Sequence, residues 1–168
     1  MNIDDIKNIY NKLFEEKKIK YKRSLSFGDY FTDRWERAKK EKFGEGSSVY
    51  DNVLIMGDVT VGKNTKIGPN CILDGTGKLS IGDECSIAAG THIYTHHTVK
   101  RAISYGKDDI EYAPTVIGNG VYIGPNCILQ KGITIGDRVV IGAMSFVNKN
   151  IDSNQKFAGC PAKYISKI

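Results

Sequence analysis

Three histidines, the only ones in the chain, lie within six residues of one another: His92, His96 and His97. Imidazole gains and loses a proton near neutral pH, so a histidine held beside a substrate can act as a general base. A surface loop can also collect histidines that have no role. The clustering makes this segment the first candidate for a catalytic site, and the surrounding fold decides whether the histidines can act.

The four cysteines are the other candidates for a nucleophile or a metal site. Cys71, Cys85 and Cys127 share one position, each four residues after an isoleucine, which indicates small core residues kept reduced. Cys160 lies near the end of the chain without a spaced partner. Because no set of histidines and cysteines has the spacing of a tetrahedral site, no metal is expected.

Aliphatic residues return every six positions after residue 48 and place the histidine segment within a repeat. A period of six cannot stay on one face of an α-helix, because six steps of about 100° leave the side chain about 120° out of phase. Short strands joined by tight turns can keep it, as in the hexapeptide repeat of a parallel β-helix. The repeating aliphatic positions, called anchors below, are Val49, Ile55, Val61, Ile67, Leu73, Leu79, Ile81, Ile87, Ile93, Ile117, Ile123, Leu129, Ile135, Ile141 and Val147.

Glycine directly follows seven of these anchors, and a small or β-branched residue usually stands four positions after an anchor. This Ile-Gly-x-x-Cys/Thr/Val-x pattern resembles the left-handed β-helix acyltransferases, in which three hexapeptides make one triangular coil. The resemblance implies the left hand of the helix. By this count, residues 49 to about 93 form nearly three coils and residues 117 to about 152 form two. The sequence therefore predicts an all-β protein, a left-handed parallel β-helix of about five coils.

Segments that depart from the repeat predict additions to this helix. Residues 1–48 lack the period and show helical spacing, which predicts N-terminal helices that cap the stack before a β-helix domain over residues 49–168. Residues 74–77 coincide with a two-residue shift of register and are expected to form a small outward loop. Residues 94–114 predict a longer loop excursion, and residues 151–168 predict a tail that folds back.

The six-residue repeat predicts different orientations for the three histidines. Counting on from Ile93 places His97 at the small inward position and His96 one residue earlier, facing away from the stack. This favours His96 as the base. In the galactoside and maltose acetyltransferases, which this segment resembles, the catalytic histidine stands one or two residues further on, so His97 remains a candidate. His92 is expected to be an outward-facing strand residue.

Acetyl-CoA is the co-substrate that the resemblance implies. The segment from Phe157 to Lys163 is similar to the Gly-x-Pro-Ala-Lys tail of these enzymes, in which a Lys or Arg faces the CoA phosphates. Lys163 would then contact a phosphate, and solvated surface charge is the alternative for Lys149 and Lys163. The full set of residues that the resemblance assigns to CoA binding is Tyr122, Pro125, Ala143, Asn148, Lys149 and Lys163. Tyr122 and Pro125 stand where the galactoside enzyme has Trp and Ser.

The activity implied is direct transfer of an acetyl group to a hydroxyl or amine of a sugar or nucleotide-sugar, as in polysaccharide biosynthesis. A histidine acts as general base, and neither a metal nor a covalent enzyme intermediate is needed. The family also implies a homotrimer with active sites between neighbouring subunits. Two alternatives stay open. One is a scaffold or binding protein without activity, and the other is a zinc hydratase of the γ-carbonic anhydrase type, which needs three histidines from different coils.

Charge and hydropathy exclude several other classes of protein. Residues 1–48 hold 12 basic and 9 acidic side chains and residues 49–168 hold 12 and 10, so the net charge of +5 is spread evenly. No block of Lys and Arg interleaves with aromatic residues, which argues against nucleic-acid binding. No apolar run approaches the roughly 20 residues of a membrane span, and the acidic residues near the start do not suit a signal peptide. A cytoplasmic location is expected.

Overall fold

A computed structural model describes residues 2–168. The helices are α1 (Ile3–Tyr21), α2 (Phe27–Phe31), α3 (Arg34–Lys40) and α4 (Val99–Ile103). The strands up to the excursion are β1 (Ser48–Val49), β2 (Leu54–Val61), β3 (Lys66–Ile67), β4 (Ile72–Ile81), β5 (Ser86–Ile87), β6 (His92–Ile93) and β7 (His96–His97). The later strands are β8 (Glu111–Tyr112), β9 (Thr115–Ile117), β10 (Tyr122–Ile123), β11 (Ile128–Leu129), β12 (Thr134–Ile135), β13 (Val140–Ile141), β14 (Phe146–Val147), β15 (Gln155–Ala158) and β16 (Lys163–Lys167).

The strands form a three-sided parallel β-helix in which each anchor pairs with the anchor one coil further on. The first face contains β1, β3, β5, β10, β13 and β15, all parallel. The second face contains the first halves of β2 and β4 with β6, β11 and β14. The third face contains the second halves of β2 and β4 with β9, β12 and a bridge at Ile151. The result is five complete coils and the first strand of a sixth, as the repeat predicts.

The core is a continuous stack of anchors along the axis of the helix. Ile123, Leu129 and Ile141 have no solvent exposure, and full burial of such a side chain contributes about 1.5–3 kcal/mol. Small polar residues four positions after the anchors use their hydroxyl groups to satisfy carbonyl oxygens of the next coil. Thr91 Oγ1, for example, donates to Gly124 O at 3.0 Å. Cys71, Cys85 and Cys127 occupy the same position and are buried, as predicted.

Segment 74–77 is not the outward loop that the register shift suggests. It lies within the continuous strand β4, in which Asp74 is fully buried and pairs with Met56 of β2, while residues 76–78 bulge without a partner in the register of β2. The two extra residues are absorbed where the pairing shifts between Gly57 and Val59 of the neighbouring strand. The prediction was wrong because a count of six residues detects a shift of register but not whether the partner strand can accommodate it.

The N-terminal helices are present and contact the first coil. Asp33 caps α3 by accepting from Trp35 N–H at 3.0 Å and Glu36 N–H at 2.9 Å, as expected of a capping residue. From α3, Arg37 donates to the carbonyl oxygens of Tyr50, Asp51 and Val53 in the first coil. These contacts cover one end of the stack. The division into domains 1–48 and 49–168 remains a prediction.

The excursion and the tail both have the expected positions. Within residues 94–114, β7 and β8 pair antiparallel, with His96 opposite Tyr112 and His97 opposite Glu111, and α4 lies between the two strands. The tail continues the first face as β15 and then reverses, because β16 pairs antiparallel with β15. The excursion therefore projects the histidine pair from the side of the helix, while the tail closes its C-terminal end.

Candidate active site

His96 and Asp74 form the hydrogen bond that organises the site at the base of the excursion. His96 Nδ1 lies 2.6 Å from Asp74 Oδ2 and 3.0 Å from Thr76 Oγ1. The His96 side chain is 30% exposed, whereas the Asp74 side chain is completely buried. Because a carboxylate accepts a hydrogen bond, this pairing places the ring proton on Nδ1 and leaves the lone pair on Nε2. In residues 2–168, Nε2 has no hydrogen-bond partner, so it is free to accept a substrate proton.

The Asp74 carboxylate is held by three further hydrogen bonds. Thr76 donates to Oδ1 through its backbone N–H at 3.0 Å and its hydroxyl at 2.6 Å, and Thr95 N–H donates to Oδ2 at 2.9 Å. Burial raises the pKa of Asp74, but the bonds from Thr76, Thr95 and His96 outweigh burial and hold that pKa at about 2. A carboxyl pKa below its unfolded value stabilises the fold above about pH 4, and this contribution is lost as the pH falls toward 2. Asp74 is therefore charged wherever the protein is expected to work.

Thr95 fixes the point where the chain leaves the second face. Its hydroxyl donates to Asp74 O at 2.8 Å and accepts from Gly77 N–H at 2.7 Å, and its side chain is fully buried. The position that the repeat frame assigned to His97 is therefore wrong: Thr95 is the inward residue, and His97 is half-buried on β7. The six-residue frame ends at Ile93, because the chain turns outward directly after it.

His97 contacts the opposite strand of the excursion. Its Nδ1 lies 3.4 Å from Glu111 Oε2 but is buried without a hydrogen bond, and Glu111 Oε1 pairs with Lys100 Nζ at 3.0 Å. The hydrogen bond from Lys100 lowers the pKa of Glu111. His97 therefore lies beside a carboxylate, that of Glu111, which already pairs with a lysine. The carboxylate of Asp74 instead hydrogen-bonds His96. This difference supports His96 as the base.

His92 is the third histidine and lies outside this arrangement. It is on β6, partly exposed on the outer side of the second face, with its Nδ1 3.3 Å from the hydroxyl of Tyr94. It pairs in register with Ile72 and Ile128 of the neighbouring coils. This is the outward strand position that the repeat predicts for it.

Four residues of the predicted CoA set lie on or near one edge of the helix. Tyr122 is half-exposed on β10, and Pro125 and Ala143 follow at the corner between the first and second faces in successive coils. The tail crosses β14 at the same end, since Phe146 N–H donates to Gly159 O at 2.9 Å and Ala162 N–H donates to Phe146 O at 2.8 Å. Lys163 follows directly, opposite Ala158. The structure thus brings these positions to one side of the last coils.

Asn148 and Lys149 lie at the opposite edge of the second face, directly after β14. The excursion leaves the helix at this same edge, after β6, which is two coils before β14 on the second face. The predicted CoA set is therefore divided between the two edges of the second face. Lys149 and Lys163 are exposed, and within residues 2–168 neither of them forms a salt bridge. Both ammonium groups are available to an anionic ligand.

A close approach between coils fixes the backbone at Pro125 and Ala143. A Cβ atom added to Gly124 would lie 2.6 Å from Ala143 N, closer than van der Waals contact allows, so only glycine fits there. Met144 N–H donates to Pro125 O at 2.9 Å across the same two coils. These contacts hold the corner rigid beside the tail.

No group of three His, Cys, Asp or Glu side chains in residues 2–168 is arranged to hold a metal ion. Burial raises the pKa of the thiols of Cys71, Cys85 and Cys127, which disfavours the reactive thiolate. Across the same described residues, no helix is both long enough and apolar enough to span a membrane.

Sequence reasoning missed Asp74, Thr76 and Glu111 as members of this site. Asp74 and Thr76 precede the histidine pair by about twenty residues, which is one coil of the helix plus the two-residue shift, and pairing of β4 with β6 brings them alongside. That register shift was the available signal. Glu111 belongs to the excursion, where no repeat relates its position to His97.

Comparison with known proteins identifies the repeat. The family described as bacterial transferase hexapeptide (six repeats) matches residues 42–75 and 114–149. Galactoside O-acetyltransferase of Escherichia coli K12 is 36% identical over 119 residues, which is 70% of this chain and 49% of that enzyme. The crystal structure of a maltose O-acetyltransferase from Clostridium difficile 630 superposes with a TM-score of 0.62 at 28% identity, covering 98% of this chain and 85% of that one. The chain thus carries the hexapeptide repeats of this transferase family in both of these stretches.

The predicted left-handed parallel β-helix is thereby confirmed for this hexapeptide-repeat protein. AntD, an N-acyltransferase from Bacillus cereus crystallised with dTDP and 3-hydroxybutyryl-CoA, shares the fold with a TM-score of 0.66 at 22% identity. That match covers 74% of this chain and 71% of AntD. The chain spans less than two thirds of the length of the curated relatives it matches, including 49% of the galactoside enzyme.

Proposed function

We propose that this protein transfers an acetyl group from acetyl-CoA to a hydroxyl or amine of a sugar or nucleotide-sugar. The observation that carries the proposal is the His96–Asp74 pair, which leaves Nε2 of a half-exposed histidine free at the base of the excursion. The names of its relatives support the substrate class, since the galactoside and maltose O-acetyltransferases are the matches of 28–36% identity described above. An activity of this kind would contribute to polysaccharide biosynthesis.

In the proposed mechanism, His96 and Asp74 move the proton of the acceptor group. Acetyl-CoA supplies the acetyl thioester that the acceptor attacks. His96 Nε2 removes the proton of the acceptor hydroxyl or amine as the new bond to the acetyl carbon forms, and the ring becomes an imidazolium. Asp74 stabilises that charge through the hydrogen bond to Nδ1, 2.6 Å long in the resting structure. When the carbon–sulfur bond breaks, Nε2 returns the proton to the thiolate, so the enzyme ends the cycle unchanged.

An assay of thiol release tests this function directly. Purified protein is incubated with acetyl-CoA and a panel of sugars and nucleotide-sugars, and the free CoA thiol is measured with and without a metal chelator. We expect acceptor-dependent release that the chelator leaves unchanged. Acceptor-dependent release that the chelator abolishes would contradict the metal-free mechanism. Absence of release with every acceptor of these classes would favour a scaffold.

Lys163→Ala is expected to lower the affinity for CoA by about tenfold or more, since a charge-assisted hydrogen bond to phosphate is worth roughly 1.5–3 kcal/mol. The turnover number at saturating acetyl-CoA is expected to change little, because the phosphate contact is the same in the ground and transition states. Titration calorimetry with CoA measures the first effect and steady-state kinetics the second. Lys167→Ala, on the same strand β16, is the matched control. Equal CoA affinity in all three proteins would make Lys163 a solvated surface charge.

We also propose a homotrimer of this 18.6 kDa chain, in which neighbouring subunits complete each active site. The outer surface supports an assembly, because Leu54, Tyr122, Ile128 and Met144 are all more than 40% exposed on or beside the first and second faces. Sedimentation velocity at micromolar concentration is expected to show a particle three times the mass of one chain. A fully active monomer would contradict the shared site.

A cytoplasmic location fits this proposal, since the site uses acetyl-CoA and the chain keeps four free cysteines. Cys160 is exposed, and a reducing compartment would keep it as a thiol.

A further inference from the structure

A cavity of about 230 Å³ lies between the N-terminal helices and the first coil, apart from the histidine site. Helix α1 contributes Lys17 and Tyr21, the link to α2 contributes Arg23, the start of α3 contributes Arg34 and Trp35, and the first coil contributes Tyr50. The walls therefore combine three aromatic rings with three basic side chains. Nothing in the acetyl-transfer mechanism uses these residues.

The two carboxylates at this cavity are already occupied by structural hydrogen bonds. Asp33 caps α3 through two backbone N–H groups. Asp29 is buried and accepts from Ser26 Oγ at 2.6 Å and from Asp51 N–H at 3.1 Å. Neither carboxylate forms a salt bridge in residues 2–168 with the basic residues that line the cavity. Within residues 2–168, the positive charges of the lining consequently have no carboxylate partner.

Arg34 is held in place while most of its donors remain free. Its guanidinium carbon lies 4.1 Å from the centre of the Trp35 ring and 5.4 Å from that of Tyr50, and Nη1 donates to the Tyr50 hydroxyl at 3.0 Å. A guanidinium carries five N–H donors in a fixed plane, so this one bond leaves four for a ligand. In the described part of the chain, the side chains of Lys17 and Arg23 make no hydrogen bond or salt bridge, and Lys17 Nζ lies 5.7 Å from the centre of the Tyr21 ring.

We propose that this cavity binds a mononucleotide, with the base against the aromatic side chains and the phosphate on the basic ones. Arginine recognises phosphate through paired N–H donors, and a nucleotide base stacks on an aromatic ring. The cavity is smaller than the roughly 300–1,000 Å³ that enclose a whole drug-sized ligand. The base would occupy the cavity, and the phosphate would meet Lys17 and Arg23 of its lining.

Nucleotide binding at this cavity can be measured independently of acetyl transfer, through the fluorescence of Trp35. Trp35 is the only tryptophan in the chain and lines this cavity. It also lines a second cavity beside Phe43, so the Arg23 and Arg34 variants below assign a change in its fluorescence to this site. We expect uridine monophosphate to change that fluorescence saturably. Uridine and inorganic phosphate, which are the two halves of the ligand, are each expected to bind at least tenfold more weakly. A response to phosphate alone that equals the response to the nucleotide would overturn the stacking role.

Variants separate this cavity from the CoA site. Arg34→Ala and Arg23→Ala are each expected to weaken nucleotide binding by about tenfold or more, and Arg34→Lys to weaken it less, because lysine keeps the charge but loses the planar fork. Arg138→Ala, far along the chain on another coil, is the matched control. Within residues 2–168 the Arg23 side chain forms no hydrogen bond or salt bridge, so Arg23→Ala tests the proposal even if Arg34→Ala unfolds. Unchanged affinity in Arg23→Ala and Arg34→Lys, or a loss of affinity in Lys163→Ala, would place the nucleotide elsewhere and contradict the proposal.

Discussion

His96→Ala is expected to lower kcat by about 10²–10⁴-fold, the range that a positioned general base contributes. CoA affinity and the unfolding temperature are expected to stay near those of the unmodified protein. CoA affinity is kept because, in the proposed mechanism, Nε2 takes part only in proton transfer. Stability is kept because Asp74, the partner of Nδ1, retains three other hydrogen bonds. The rate of the unmodified protein should fall at acid pH, since a protonated imidazole cannot accept a proton. That acid limb is expected to be absent in His96→Ala.

His97→Ala is the matched control, because His97 is the adjacent residue, equally exposed, and also beside a carboxylate. A smaller loss of rate is expected, together with at most a small loss of stability where the imidazole packs against Glu111. If His97→Ala is inactive and His96→Ala works normally, the roles of the two histidines are reversed. If both variants transfer acetyl groups at full rate, the general-base mechanism is wrong for this protein.

The coils and the core could be predicted from the sequence because their cause is local and repeated. Each anchor occupies the position in its coil that the next anchor occupies one coil later, as Ile123 and Ile141 do. The period of six therefore follows directly from the packing of the core. The burial of Cys71 and Cys127 followed from the same phase. The tail was visible because it breaks that period. The strands of the repeat, and the positions at which the repeat ends, can therefore be predicted from the sequence.

Only one member of the candidate active-site pair, His96, could be predicted from the sequence, because Asp74 and His96 meet through a departure from the repeat. The two-residue shift near Asp74 places its carboxylate inward, beside the strand from which the excursion leaves. A count along the chain cannot follow that, because the direction of the side chain depends on how β2 accommodates the shift. Beyond Ile93 the frame no longer applies, and Thr95 takes the inward position that the count gave to His97.

Asp74→Asn is expected to lower kcat by about 10²-fold or more while leaving CoA affinity unchanged. An amide at this position can turn its NH₂ group toward His96 Nδ1, which selects the ring form with the proton on Nε2 and removes the base. Exchange of a carboxylate for an amide behind a catalytic histidine can cost as much as about 10⁴-fold in another enzyme, where the tautomer is the cause. In the proposed mechanism Asp74 is a positioning residue, since it acts through its hydrogen bond to His96 Nδ1.

A purely structural role for Asp74 predicts a different set of results. Loss of structure would reduce the amount of folded protein without altering the pH at which the rate falls. Loss of the carboxylate behind the base would instead move the acid limb to lower pH, because the imidazolium loses its counter-charge. Thr76→Val is the second variant: it removes the hydroxyl that lies 2.6 Å from Asp74 Oδ1 and 3.0 Å from His96 Nδ1 but keeps the backbone bond. Its rate loss should be smaller than that of Asp74→Asn. Full activity and an unshifted pH profile in both variants would show that His96 needs no positioning by this carboxylate.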